Sequence, residues 1–400
     1  MATWIALIYA LWLARLFIII GLAITHKKAS NRRADSAQTI LKSFPKQPLV
    51  TIVIPAFNEY DCIASSISSC QKSNYSKLEI IVIDDGSTDE TCKQVDAMQI
   101  KHASQPLRLI RQRSNQGKAE ALNRGIDAAQ GSIIVTLDAD TRFEQPETLE
   151  TLILPLLVDP DLAATTASLR VNQRRRFWSS VQDLEYTNVL HTIKRAQCRL
   201  KGIMILPGAM SAFRLKDLRA SGGFSSQTLA EDADITMQFL LDGKQQLFQA
   251  DAIAFTDAPI TLRELMHQRI RWRVGQLQCL RKHQALLHAA PFQRLIYLDT
   301  VATNLLSLAT PVLILMLLTS GISATCRVEQ LVILNLMSIV AVGWGTTALC
   351  YRLDDRLCPQ PIRILGYFCF FSIFNPIITL IALWCLIKSR LPCGRTPRPA

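Results

Sequence analysis

Apolar residues fall into two kinds of run along this chain. Between residues 49 and 140 they come as short blocks that end in polar residues: Leu49–Pro55, Leu78–Asp85, the weaker Leu107–Arg111, and Ser132–Asp140. The stretches between them, Glu59–Lys72, Thr88–His102, Gly117–Ala129 and Gln145–Leu157, have helical spacing. Buried strands that alternate with helices of about 10–15 residues predict an α/β fold, a mainly parallel sheet covered by helices on both faces. The second kind of run is long. Trp4–Ile24, Thr300–Gly321, Leu331–Tyr351 and Ile364–Ile387 each approach the roughly 20 residues a helix needs to cross hydrocarbon.

These runs divide the chain into a membrane span at 1–25, a basic cytoplasmic linker at 26–47 and a globular domain at 48–258. An amphipathic interfacial region follows at 259–290, then a membrane region of about three segments at 291–390 and a basic tail at 391–400. Arg15 is the only charge in the first span, and no basic residue precedes that span as a signal peptide would require. Lys27, Lys28, Arg32 and Arg33 follow it, which places the globular domain on the cytoplasmic side. Four full spans would then leave the tail outside, although it carries Lys388, Arg390, Arg395 and Arg398. A re-entrant break at Asn375-Pro376 resolves that conflict, because broken helices are tolerated where protein buries them. The expectation is a multi-pass protein of the cell (inner) membrane.

Composition narrows the classes. With 49% apolar residues, 19% charged residues and a mean hydropathy of +0.19, the chain is too apolar to be disordered and too charged to be all membrane. Eleven cysteines without a CxxC pair read as free thiols in a reducing compartment rather than as a disulfide scaffold or a zinc site. The net charge of +12 is concentrated at 172–201 and 263–283. Both clusters flank apolar helices, so the partners expected are anionic headgroups or an anionic substrate, and no nucleic acid.

The candidate chemistry lies where strands end. Glu59 follows the first strand, Asp84 and Asp85 the second, and Asp138 and Asp140 the fourth. Open α/β sheets bind ligands at such carboxyl ends. No GxGxxG follows the first strand and no P-loop motif occurs, so neither of those two nucleotide sites is supported. Asp-x-Asp occurs three times where chance allows roughly one, so a single copy decides little; the 159/161 copy in Asp159-Pro160-Asp161 reads as a turn. The 138/140 copy is delivered by a strand, and alternate carboxylates there offer oxygen ligands to a hard divalent cation. Ser87 or Asp89 would cap the following helix. Lys118, at a helix start, is either a solvated surface residue or a counter-charge to a phosphate. Leu262, Met266, Ile270, Val274 and Leu277 share one stripe of a helix, interrupted by Arg273, with Gln268, Arg271 and Trp272 on the other side. Such a helix suits a bilayer interface.

In order, Ile54-Pro-Ala-Phe-Asn-Glu59, Asp84-Asp-Gly-Ser-Thr-Asp89, Asn115-Gln-Gly-Lys118, Asp138-Ala-Asp140, Leu206-Pro-Gly-Ala-Met-Ser-Ala-Phe-Arg214, Gly222-Gly-Phe224, Ala230-Glu-Asp-Ala-Asp234 and Gln268-Arg-Ile-Arg-Trp272 resemble glycosyltransferase family 2. The later motifs resemble its membrane-embedded branch, the cellulose, chitin, hyaluronan and poly-β-1,6-N-acetylglucosamine synthases. The resemblance spans about residues 48–285 and implies a GT-A fold, a Rossmann-like nucleotide-sugar sheet with an acceptor region. It implies that Pro55, Ala56, Glu59, Asp85, Lys118, Asp138, Gln268 and Arg271 bind the nucleotide sugar, and that Asp140 holds Mg²⁺ or Mn²⁺. Gly208 and Trp272 would meet the acceptor, and Asp232 would be the general base. The family's Thr-Glu-Asp reads Ala230-Glu-Asp here, a change expected in the surrounding hydrogen bonds rather than in the base. Phe177–Tyr186 also resembles the family, as an interfacial or acceptor-channel helix or as a core helix.

Two activities are compatible with this reading. One is elongation of a β-linked polysaccharide from a UDP-sugar, UDP-N-acetylglucosamine favoured, with export through the chain's own spans. The other is transfer of one sugar to a membrane lipid. Arg15 and Asn304 inside apolar runs would line a polar path, or Arg15 would face a lipid phosphate. So few spans imply an oligomer or a small membrane partner subunit to complete a polymer channel.

Overall fold

A computed structural model describes residues 2–43, 47–101, 107–172, 176–322 and 341–388, with side chains described at 10–30, 47–100, 107–172, 176–308 and 341–388. The strands are β1 (Val50–Ala56), β2 (Leu78–Asp84), β3 (Leu107–Arg111), β4 (Ile133–Leu137), β5 (Thr141–Phe143), β6 (Leu162–Val171), β7 (Met210–Arg214) and β8 (Gln245–Thr256). They form one eight-stranded sheet in the order β3-β2-β1-β4-β7-β6-β8-β5. Its first four neighbours are parallel, as expected from their continuous apolar runs, and Ile52, Val53, Ile54, Ile81, Val82, Ile83, Ile134 and Val135 are fully or almost fully buried. The other side of the sheet is mixed: β7 runs antiparallel to β4 and β6, and β5 antiparallel to β8, whereas β6 and β8 are parallel.

The helices between the early strands are α2 (Tyr60–Gln71), α3 (Thr91–Lys101), α4 (Lys118–Ala128) and α5 (Thr148–Val158), each within a few residues of expectation. α1 departs from it. It runs from Ala2 to Ser43 as one helix and takes in most of the expected linker. Beyond β6 come α6 (Phe177–Asn188), a π-helical turn (Val189–Lys194), α7 (Arg195–Arg199), α8 (Leu215–Ala220), α9 (Glu231–Leu241) and α10 (Leu262–Lys282). The 172–201 charge cluster turns partly inward, because Lys194 and Arg195 are buried in this stretch. Residues 173–175 of that cluster lie outside the described residues.

The last helices are α11 (Pro291–Ile322), α12 (341–353) and α13 (Pro361–Ile387). Two described helices are long and apolar enough to cross a membrane, Ala10–Ser30 within α1 and α13. The first half of the expected span Leu331–Tyr351, and the basic tail, lie outside the described residues. The expected break at Asn375-Pro376 does not occur; α13 continues through Pro376. Proline removes one donor and bends a helix, but here the neighbouring Asn375 accepts a hydrogen bond from Arg273 of α10, at 2.5 Å, and Pro376 itself is buried.

The apolar stripe of α10 packs on α13. Leu265, Leu262 and Met266 lie against Phe370, Phe371 and Phe374 of α13, and Val274 against Ala382 and Cys385. A second attachment ties the sheet to the turn after α12. Asp354 lies 3.0 Å from Arg170 of β6 and 3.1 Å from His191, and Lys27 of α1 pairs with Asp355 at 2.5 Å. α6 is a core helix, the more ordinary of its two readings: Ser179 to Leu184 are buried against β6 and α13. No disulfide joins any described cysteine.

Candidate active site

The site starts at the paired ends of β1 and β2, where Ala56 lies opposite Asp84. Pro55 and Ala56 close β1, and Glu59 stands buried ahead of α2. The two strand-end loops are laced together. The Asn58 amide donates to Ser87 Oγ at 3.0 Å, Asn58 Oδ1 accepts the Thr88 amide at 2.8 Å, and the Glu59 amide donates to Thr91 Oγ1 at 2.9 Å. Asp89 accepts the Thr91 amide at 3.0 Å, the helix-start role anticipated for it.

Asp85 is 3% exposed, and its carboxylate is gripped by its own chain. It accepts the amides of Gln116 at 2.7 Å and Gly117 at 2.9 Å, which fixes the loop that starts α4. Burial pushes this carboxyl above its ordinary range, against the pull of those two amides. α4 begins at Lys118, whose ammonium reaches across the sheet end to Asp138 at 2.6 Å and Glu231 at 3.2 Å. Burial alone would lower the Lys118 ammonium, but the charges of Asp138, Glu231 and Asp232 outweigh it and hold the group above its ordinary value.

β4 and β7 are antiparallel neighbours, and the Asp138 amide donates to Ala209 at 3.0 Å. That pairing brings the Leu206-Pro-Gly208 turn beside the acidic strand end. The Gly208 amide donates to Asp232 Oδ2 at 2.9 Å. A Cβ at Gly208 would lie 3.2 Å from both Asp232 Oδ2 and Lys118 Nζ, so a larger residue would push the lysine and the carboxylate from their places beside the turn. Asp232 lies in the first turn of α9, where Oδ1 accepts the Ala233 amide at 2.8 Å. Burial, then the neighbouring Glu231 charge, raise this carboxyl above the usual aspartate range. Asp140 Oδ1 accepts from Thr141 at 3.2 Å and from Thr256 of β8 at 3.3 Å.

Asp234, two residues on, has a different job. It receives His283 at 2.7 Å, Lys282 at 2.9 Å and Thr228 at 3.2 Å, and so pins the start of α9 to the end of α10. These partners hold its carboxyl low although burial alone would raise it. Gly275 lets α10 come equally close to the chain entering α9: a Cβ there would lie 2.6 Å from that of Ala230, where the family pattern has threonine.

On α10, Arg271 and Trp272 are half-buried, and the Gln268 amide oxygen is buried with no hydrogen-bond partner among the described residues. Arg269 stands 4.4 Å over the Trp272 ring, and Tyr186 of α6 lies nearly parallel to that ring at 6.4 Å. Burial pushes the Tyr186 phenol up, and the charges of Glu185 and Asp140 act in the same direction.

The structure thus gathers Lys118, Asp138, Gly208 and Asp232 at one place, with Asp85 fixing the loop before Lys118. It ties Asp140 to β8 and ties Trp272 to α6. The sequence reading missed Glu231 as the second partner of Lys118, Glu185 as the partner of Arg269, and Lys194. The Lys194 ammonium donates to the Ile205 carbonyl behind the Gly208 turn, and burial lowers it to about 8. A lysine inside a basic cluster carries no local sign that it points inward.

Residues 51–222 match the family model of Glycosyl transferase family 2. Over 226 residues it is 29% identical to a poly-β-1,6-N-acetyl-D-glucosamine synthase of Staphylococcus aureus (strain MSSA476), covering 56% of this chain and 54% of the relative. It is 26% identical to the synthase of the same name from Staphylococcus epidermidis, with the same coverage. The match therefore spans about half the length of these relatives. Among solved structures, the mannosyltransferase PcManGT from Pyrobaculum calidifontis, in complex with GDP-Man and Mn²⁺, aligns with a TM-score of 0.62 at 22% identity. That alignment covers 90% of this chain and 99% of the mannosyltransferase, and it supports the expected GT-A fold.

Proposed function

We propose that this chain, through its family 2 glycosyltransferase domain, is a membrane-bound inverting glycosyltransferase that adds sugars from a UDP-sugar, UDP-N-acetylglucosamine first among them, to a growing β-linked polysaccharide. The observation that carries the reading is the meeting of Asp138, Lys118 and Asp232 around Gly208. One strand-end carboxylate, one cation and one raised carboxyl stand together, the set needed to hold an anionic donor and to accept a proton.

In this reading Pro55, Ala56, Glu59 and Asp85 form the nucleotide end and Lys118 faces the diphosphate. Asp232 takes the proton of an acceptor hydroxyl as that oxygen attacks the anomeric carbon. The bond from that carbon to the diphosphate breaks with its electron pair, UDP leaves, and one displacement turns an α-linked donor into a β-glycoside. A base with a raised pKa suits the task, because it binds the proton more readily. Arg271 counters charge on the leaving group, Gln268 orients the donor, and Gly208 and Trp272 meet the acceptor.

Among the described residues no three or more His, Cys, Asp and Glu side chains form a metal cage. Asp138 and Asp140 nonetheless offer the hard oxygen ligands that Mg²⁺ or Mn²⁺ prefers, and a diphosphate brings the remaining oxygens. The donor set fits, with Asp140 as ligand. A cation bound there neutralises the charge of the diphosphate.

The names of the staphylococcal relatives support a polysaccharide product, and the apolar helices support a multi-pass inner-membrane protein with its catalytic domain in the cytoplasm. Processive export, with an oligomer or small partner completing the path, belongs to the same proposal. Sizing the products made by purified full-length protein from labelled UDP-N-acetylglucosamine tests it. A ladder reaching high mass is expected; a single organic-soluble product would replace it with glycosylation of a lipid acceptor.

A further inference from the structure

α6 and α10 meet through a buried ion pair that none of the family motifs predicts. Arg269 Nη1 donates to Glu185 Oε1 at 2.7 Å, and Nη2 lies 2.6 Å from Oε2 without hydrogen-bond geometry, so one hydrogen bond and a second close charge contact join the pair. Arg269 is 6% exposed. The same guanidinium lies 4.4 Å from the centre of the Trp272 ring, within cation–π range. One residue further along α6, Tyr186 lies nearly parallel to Trp272, at 18°, and its hydroxyl accepts from Gln182 Nε2 at 2.8 Å. Trp272 is therefore held from α6 through two consecutive residues. α6 is itself held at Asp183, which receives Arg356 at 2.5 Å and Tyr351 at 3.0 Å from the end of α12 and the turn after it.

We infer that Glu185 and Arg269 are a positioning pair that sets the plane of Trp272, and that this pair governs how long an acceptor stays engaged. The inference rests on the reading of Trp272 as the acceptor's platform. A guanidinium is required because it is flat and forked: one edge takes the carboxylate while one face covers the ring. Lysine offers a point charge and neither geometry.

The test uses full-length protein in membranes or detergent. Glu185→Gln alone strands a buried guanidinium and is prone to misfold. The informative variants are Arg269→Lys and the double change Glu185→Gln with Arg269→Gln, which removes both charges together. For both, UDP binding is expected to match the parent, while the acceptor KM rises roughly tenfold, about the value of one lost cation–π contact with its tether, and the product distribution shortens. The near-ultraviolet circular dichroism of Trp272, taken as the difference between each protein and its Trp272→Phe counterpart, is expected to collapse in both variants.

Parental dichroism together with parental product length in the double variant would overturn the inference, as would equal losses in UDP binding and acceptor KM. The two layers separate cleanly. If Trp272→Ala leaves products unchanged, the acceptor reading of Trp272 fails, whatever the dichroism shows. If Trp272→Ala shortens products while the double variant keeps the parental dichroism, the positioning pair fails and the acceptor reading stands.

Discussion

Where the parallel strands end, carboxylates are held by backbone amides; where α6 meets α10, side chains hold one another. Asp85 takes the amides of Gln116 and Gly117, and Asp232 takes those of Gly208 and Ala233. Glu185, Arg269 and Trp272, by contrast, are fixed through an ion pair and a ring contact. The first arrangement pre-orients charge at little entropic cost, because the backbone is already ordered by the sheet. The second depends on two helices keeping their distance. Damage at the strand ends should stop chemistry, and damage at α6–α10 should change what is made.

The largest effect expected on the strand-end side is that of chelation. EDTA should take turnover to background, and Mg²⁺ or Mn²⁺ should restore it; full activity in chelator would remove the metal assignment. Asp232→Asn comes next. Turnover should fall by roughly 10²–10⁴, the usual worth of a positioned base, while UDP binding survives. Equal loss of both would make the residue structural. Gly208→Ala should cost about tenfold in kcat/KM, the scale of about 1–2 kcal/mol of overpacking, because the new methyl meets both Asp232 and Lys118 at 3.2 Å.

The smallest effect is a shift in pH dependence. The base works when deprotonated, so a raised Asp232 places the acid limb of kcat/KM above the range of an ordinary aspartate. Glu231→Gln removes a like charge and should move that limb to lower pH. Lys118→Met removes an opposite charge and should move it to higher pH. A limb that ignores both changes would mean that Asp232 is not the titrating group.

The same contrast explains what was legible in the sequence. β1 to β4 leave dense local signals, apolar blocks closed by Pro55, Asp84 and Asp138, and parallel neighbours carry those residues to one edge. β6, with its Leu-Ala-Ala-Thr-Thr-Ala start, and β8, which interleaves Gln and Asp with apolar residues, carry weak strand patterns, so the mixed half of the sheet leaves little local signal. Glu185 and Arg269 are 84 residues apart, and nothing in either local pattern marks them as partners. The α10 stripe was legible, but its neighbour was not: amphipathicity says that a face is covered, and the phenylalanines of α13 cover it here.

Arg15 of α1 and Asp299 of α11 pair through two contacts, at 2.5 and 2.8 Å, although they are 284 residues apart in the chain. At about 5–20 residues per second, a ribosome makes the arginine roughly 15–60 s before its carboxylate. For that interval the first helix must keep a lone guanidinium by other means, at the headgroups or beside helper proteins. Asp299→Asn should therefore lower the yield of assembled protein more than the turnover of each molecule that completes assembly.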